Sequence, residues 1–90
     1  MHNHIHIICH PGAGGYRGQK ILNQVTDLLE NYHATYLTYL TDHKSHARLI
    51  SQQINHKYPN HSPELILVIG GDGTLHEVVE ALFYLSLIHI

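Results

Sequence analysis

The sequence predicts an α/β domain in the order βαβαβα, three layers with a parallel sheet between helices. Three observations predict it. Short apolar runs at 5–9, 34–40 and 64–69 have strand length and are rich in β-branched or aromatic residues. The segments after them repeat apolar residues at helical spacing. The first and third runs also stop abruptly at glycine-rich turns, His10–Gly15 and Gly70–Thr74, and each turn hands over to a helix. Strands joined by helices of this length pair in parallel through right-handed crossovers.

The elements follow in order. Ile5-His-Ile-Ile-Cys9 reads as the first strand, ended by His10-Pro-Gly-Ala-Gly-Gly15. Ile21, Leu22, Val25, Leu28, Leu29 and Tyr32 then fall on one helical stripe. Ala34 to Leu40 alternates as a second strand, and Thr41-Asp42 is placed to cap a second helix with Ala47, Ile50 and Ile54 on its apolar side. Tyr58-Pro-Asn-His-Ser-Pro63 breaks that helix and leads to the third strand, Glu64 to Ile69. The last helix opens with Thr74-Leu-His-Glu77, the spacing of a capping box, and carries Leu75, Val78, Val79, Leu82 and Phe83.

Ninety residues, 43% hydrophobic and 13% charged, suit one globular domain or part of one. A formal net charge of −2 gives no basic footprint for nucleic acid and no polybasic patch for membranes. No apolar run approaches the ~20 residues needed to span a bilayer, and Met1-His-Asn-His-Ile-His6 lacks the blocks of a signal peptide. Cys9 is the sole cysteine, which excludes an intrachain disulfide and suits a reducing interior. Its apolar strand marks it as a small core residue rather than a nucleophile. Of eleven histidines, His2, His4 and His6 alternate and would share one strand face, where a metal could bridge them. A solvated face or frayed chain start is the simpler reading. The other histidines, His43, His46 and His76 among them, read as scattered, without ligand spacing.

Leu85-Ser-Leu-Ile-His-Ile90 is apolar, has no stop signal and ends inside an apparent element. A three-stranded parallel sheet would leave unpaired edges. Truncation and non-native read-through both account for this end, and both imply a longer working protein.

The strand ends of a parallel sheet share one rim, where α/β proteins place their ligands. Two glycine-rich turns offer backbone N–H groups there, with Thr41 adding a hydroxyl between them, and the helix after Gly70–Thr74 points its N-terminal dipole at the turn. Such a rim suits a polyphosphate. A Walker loop is excluded, because Gly18 is followed by Gln19 and Lys20 is out of register. The dinucleotide fingerprint fails as well, with Arg17 standing where a glycine is required after Gly14, and the second strand ends in Thr41 rather than an acid. Asp72 beside phosphates needs a metal or a hydroxyl between, although Asp-Gly alone also makes turns. Glu77 serves either the capping box or the ligand, and Arg17 and Lys20 are surface cations near the first turn.

Gly70-Gly71-Asp72-Gly73-Thr74-Leu75, continued by His76-Glu77-Val78-Val79, resembles the signature of the diacylglycerol kinase catalytic domain family. His10-Pro11-Gly12-Ala13-Gly14 resembles its Asn-Pro-x-Ser/Ala-Gly loop, and Thr41 and Ala47 resemble its Thr at the second strand end and the Ala some residues later in the helix. The likeness runs from about Ile5 to Leu82. The resemblance implies a lipid kinase fragment that takes ATP with Mg²⁺ and passes the γ-phosphate to a lipid hydroxyl such as diacylglycerol. The nucleotide would be held by His10, Pro11, Gly12, Ala13, Gly14, Thr41, Gly70, Gly71, Asp72, Gly73, Thr74 and Glu77, with Asp72 reaching the metal through Mg·ATP. It implies a cytoplasmic protein that meets its lipid at the inner membrane face. Residues 1–84 would form the nucleotide-binding lobe, with 85–90 set apart. The family's C-terminal β-rich domain carries the general base, so no catalytic base is assigned here and the chain alone is expected to be inactive. His10 and His76 depart from the family's usual asparagines. The Gly-Gly-Asp-Gly-Thr core is shared with NAD kinases, which leaves an NAD kinase-like phosphotransferase as the alternative enzyme. A non-catalytic nucleotide-binding module is the alternative of another class.

Overall fold

A strand that is apolar on both faces has to be covered on both, and the first and third apolar runs are of this kind. In the computed structural model they lie side by side at the centre of the sheet. The structure describes residues 5–43, 45–57, 65–81 and 86–90. Its elements are β1 (Ile5–Cys9), α1 (Ala13–Asn31), β2 (Tyr36–Leu40), α2 (His46–Lys57), β3 (Leu65–Ile69), α3 (Asp72–Ala81) and β4 (Ser86–His89). The strands are all parallel, in the order β2-β1-β3-β4. The predicted α/β class, helix-flanked parallel sheet and element order are therefore present, with a fourth strand added. Residues 86–89, set apart in the sequence, pair with β3 in register from Leu65↔Ser86 to Val68↔His89. The helix break at 58–63, Leu82 and Phe83 of the last helix, and His2 and His4 lie outside the described residues.

Side-chain alternation sorts the core into two layers. Ile7, Cys9, Leu67 and Ile69 face α1, where Leu22 is buried and Ile21, Val25 and Leu29 pack against them. Ile8, Ile66 and Val68 face α2 and α3 and meet Ala47, Ile50, Ile54 and Val78. The predicted stripe of α1 needs trimming: Leu28 is 57% exposed and Tyr32 80% exposed. Leu28 lies at the margin of the stripe and Tyr32 is the C-cap, where the chain leaves the sheet. Val79 is likewise exposed while Val78 is buried, since adjacent helical positions point about 100° apart.

Three further expectations are corrected. His6 is fully buried rather than on a solvated face, because β1 is an inner strand covered on both sides; its Nδ1 lies 3.0 Å from the Tyr39 hydroxyl. β2 begins at Tyr36, two residues later than predicted, because the end of α1 consumes the preceding residues: His33 sits at φ 56° and the Ala34 N–H donates to the Leu29 carbonyl at 2.9 Å. Neither Thr41 nor Asp42 supplies the cap of α2. Glu77, reaching across from α3, does so.

Candidate functional site

The strand order places a topological switch between β1 and β3. From β1 the chain moves outward to β2; from β3 it moves the other way to β4. The loops that follow β1 and β3 thus part at the carboxyl end of the sheet and leave a crevice, the usual ligand position in this class. Two backbone bonds tie these loops to the sheet: His10 N–H donates to the Ile69 carbonyl at 2.9 Å, and Gly70 N–H to the Ile90 carbonyl at 3.3 Å.

The first loop turns sharply. Gly14, Gly15 and Tyr16 all adopt left-handed backbone, at φ 61°, 67° and 72°. Two glycines do so at little cost, whereas Tyr16 pays about 1 kcal/mol or more for it. After this kink α1 packs back upon the loop. A Cβ on Gly18 would lie 2.3 Å from the His10 carbonyl oxygen and 3.2 Å from that of Pro11, so only glycine allows helix and loop to approach this closely. Gly18 was not among the expected site residues. Its signal was available, since it precedes Leu22 by four residues and shares its buried helical face.

The third loop enters α3 without delay. Leu75 N–H donates to the Gly71 carbonyl at 3.2 Å, and the helix is formed from Asp72. Thr74 therefore sits inside the first turn, and the predicted Thr74–Glu77 capping box does not form. The double glycine lets the chain bend into the helix earlier than the box requires. Asp72 becomes an exposed first-turn acid, favourably placed against the helix dipole. The Thr74 side chain leans over the turn, and a Cβ on Gly70 would come within 3.0 Å of its hydroxyl oxygen. Gly71 and Gly73 have open space where a Cβ would stand.

Glu77 bridges two helices. Its Oε2 accepts the Ser45 N–H at 3.1 Å and its Oε1 accepts the Arg48 N–H at 3.2 Å, so it caps α2 from α3. Arg48 in turn pairs with Glu80, which His76 also approaches at 3.1 Å. Thr41 is buried, donating its N–H to the Cys9 carbonyl at 2.8 Å and its hydroxyl to the same oxygen at 3.4 Å. Its N–H extends the β1–β2 pairing.

These elements border two clefts on the shared rim. The first, about 310 Å³, is lined by Ala13, Gly14, Arg17, Gly18, Gly70 and Gly71, with Ile21, Ile69 and Ile90 as its apolar wall. The second, about 300 Å³, is lined by His10, Thr41, His43, Ala47, Gly73, Thr74 and Glu77. Nine of the twelve expected residues thus line one cleft or the other; Pro11, Gly12 and Asp72 line neither. Among the described residues that line the clefts, Arg17 is the one arginine or lysine. Ile90 and His43 had no predicted part in the site, the former because β4 carries no sequence signal of its own.

Cys9 lies beneath the rim, buried, with its Sγ 3.7 Å from the Gly18 carbonyl oxygen. Burial pushes the thiol up from 9.0 to about 11. The folded form binds its proton more tightly than the unfolded form does. Its contribution to stability is therefore complete below pH 9 and lost as pH rises from 9 through 11, to a total of about 2–3 kcal/mol. Labelling by a thiol reagent at pH 7.5 is expected to follow global unfolding in a urea series. Fast labelling of the native protein would contradict this placement.

The chain matches the family described as diacylglycerol kinase catalytic domain over residues 4–89. It is 32% identical over 80 residues to a protein of Bacillus subtilis (strain 168) named "Putative lipid kinase YtlR". That alignment takes in 89% of this chain and 26% of the relative, so the chain spans about a quarter of the length of the protein it matches. Among the described residues no helix is long and apolar enough to cross a membrane.

Proposed function

Because the chain belongs to the diacylglycerol kinase catalytic domain family of lipid kinases, we propose that it is the nucleotide-binding part of an ATP-dependent kinase whose acceptor is a lipid hydroxyl, such as that of diacylglycerol. The observation that carries this reading is the pair of glycine-bordered clefts at the switch between β1 and β3. Bare backbone at Gly14, Gly70 and Gly71, a helix N-terminus at Asp72 and the guanidinium of Arg17 offer a triphosphate close approach and compensating charge. Open space over Gly71 fits that role, since a side chain there would occupy the cleft.

The chain's own residues then bind and align. Ala13, Gly14, Gly70 and Gly71 border the phosphates on the α1 side; His10, Thr41, Gly73, Thr74 and Glu77 border the α2–α3 side; Pro11 and Gly12 shape the first loop. Mg²⁺ would supply charge neutralisation, with Asp72 as the exposed carboxylate at hand. Phosphoryl transfer depends on positioning and electrostatics more than on covalent chemistry, and these residues are assigned no general base. β4 continues the sheet beside β3 and Ile90 lines the first cleft, so we place residues 86–90 with the nucleotide lobe. Encounter with the lipid would take place at the cytoplasmic face of a membrane.

Gly71→Ala tests this reading. Beyond its chain neighbours the added methyl meets no atom of the described residues within 4 Å, so the melting temperature is expected to stay unchanged, while the methyl narrows the first cleft. Mg·ATP affinity, read by isothermal titration, is expected to fall about tenfold or more, which is about 1.4 kcal/mol. Equal affinity in the variant and the parent would overturn the placement of the triphosphate.

A further inference from the structure

We propose that Asp42, His43 and His46 form a binding site for a zinc-class divalent cation at the mouth of the second cleft. It is independent of the kinase reading and uses residues to which that reading gives no task. The three side chains come together because the chain leaves β2 at Thr41, turns through Ser45 at φ 71°, and starts α2 at His46. One ligand atom from each lies within 4.8 Å of the others. Asp42 Oδ1 is 3.0 Å from His46 Nδ1 and 3.4 Å from His43 Nε2. Metal–ligand bonds of 2.0–2.2 Å in a tetrahedron require ligand atoms about 3.3 Å apart, and these two separations bracket that value.

The donor set selects the metal. Two imidazoles with one carboxylate suit zinc, cobalt or nickel, whereas Mg²⁺ prefers oxygen ligands throughout. The two rings are stacked, 4.5 Å between centroids and 6° apart in plane, with a nitrogen of each near the same carboxylate oxygen. Asp42 N–H donates to His46 Nδ1 at 3.1 Å, which holds the ring near the turn; an imidazole nitrogen has a single lone pair, so an ion bound at Nδ1 would replace this hydrogen bond. Asp42 and His43 are mostly exposed and His46 is about a quarter exposed, which leaves a coordination position open to water. His43 also lines the second cleft, so the ion would bring positive charge to its mouth.

The test uses the full 90-residue chain carrying His2→Asn and His4→Asn, which removes the other close-spaced histidines. Co²⁺ titration, followed by visible absorption and Zn²⁺ displacement, is expected to give one site with the intense bands of a low-coordinate ion. His43→Ala with His46→Ala is expected to abolish it, and Asp42→Asn to weaken it about tenfold or more. Circular dichroism checks that each variant is folded; Asp42→Asn, at an exposed side chain, keeps the test available if the double variant unfolds. Loss of binding in the His2→Asn/His4→Asn parent, or full affinity after Asp42→Asn, would overturn the proposal. Displacement of Co²⁺ by equimolar Mg²⁺ would overturn it as well.

Discussion

Replacing Gly18 by alanine is expected to destabilise the protein by about 2 kcal/mol or more, against the helix-propensity gain of about 1 kcal/mol that the same change brings at an ordinary helical site. The added carbon would stand 2.3 Å from the His10 carbonyl oxygen. The obstructing atom is backbone, held by the His10 N–H bond to Ile69 and the Ala13 N–H bond to the His10 oxygen, so it cannot swing away. Either α1 lifts from the sheet and exposes Leu22, or the first loop moves and the first cleft changes shape. A 90-residue domain commands roughly 5–13 kcal/mol in all, so the loss is large. Gly73→Ala is the matched control: it lies in α3 with open space at its Cβ and is expected to raise stability by about 0.5–1 kcal/mol. Urea denaturation of both variants measures the difference. Equal and favourable shifts would show that the helix–loop contact at Gly18 is not as tight as described.

The fold was legible where pattern and packing agree. β1 and β3 are apolar at nearly every position and proved to be inner strands; the stripe Ala47, Ile50, Ile54 of α2 is buried as spaced. Where a residue's fate depends on which neighbour covers it, the sequence was silent. His6 alternates with His2 and His4 and looks solvent-facing, yet an inner strand covered by α2 and α3 buries it beside Tyr39. Leu85–Ile90 reads as a tail because a strand that depends on β3 for its partner has little local signature.

The site was legible to the extent that glycine announces itself. Two glycine turns at the ends of parallel strands mark the rim, and the structure gathers most of the expected residues around it. Long-range side-chain contacts were not legible. The Asp42–His43–His46 cluster needs the turn at Ser45 to form, and nothing in the spacing 42, 43, 46 distinguishes it from scattered polar residues. Glu77 gave a misleading local answer. The Thr-x-x-Glu pattern suggested a cap within α3, whereas the carboxylate serves the neighbouring helix.

That reassignment has an expected outcome of comparable size. Glu77→Ala removes the acceptor of two backbone N–H groups at the start of α2, and with it a negative charge at the positive end of that helix. Charge-assisted bonds of this kind contribute about 1.5–3 kcal/mol each when well formed. Ser45 lies exposed and water can replace part of its loss, so a total of about 2–3 kcal/mol is expected. Glu77→Gln keeps an acceptor oxygen but turns an amide N–H₂ toward the second donor, and it is expected to recover less than half of that loss. The same two variants separate the structural role from a ligand role. If Glu77 works by holding α2 against α3, stability falls in both while Mg·ATP affinity, measured where each variant is fully folded, stays within about threefold of the parent. If affinity drops tenfold in Glu77→Gln while the urea midpoint is unchanged, the carboxylate belongs to the ligand and the cap is incidental. The geometry favours the first outcome, because each carboxylate oxygen already accepts a backbone proton from the neighbouring helix.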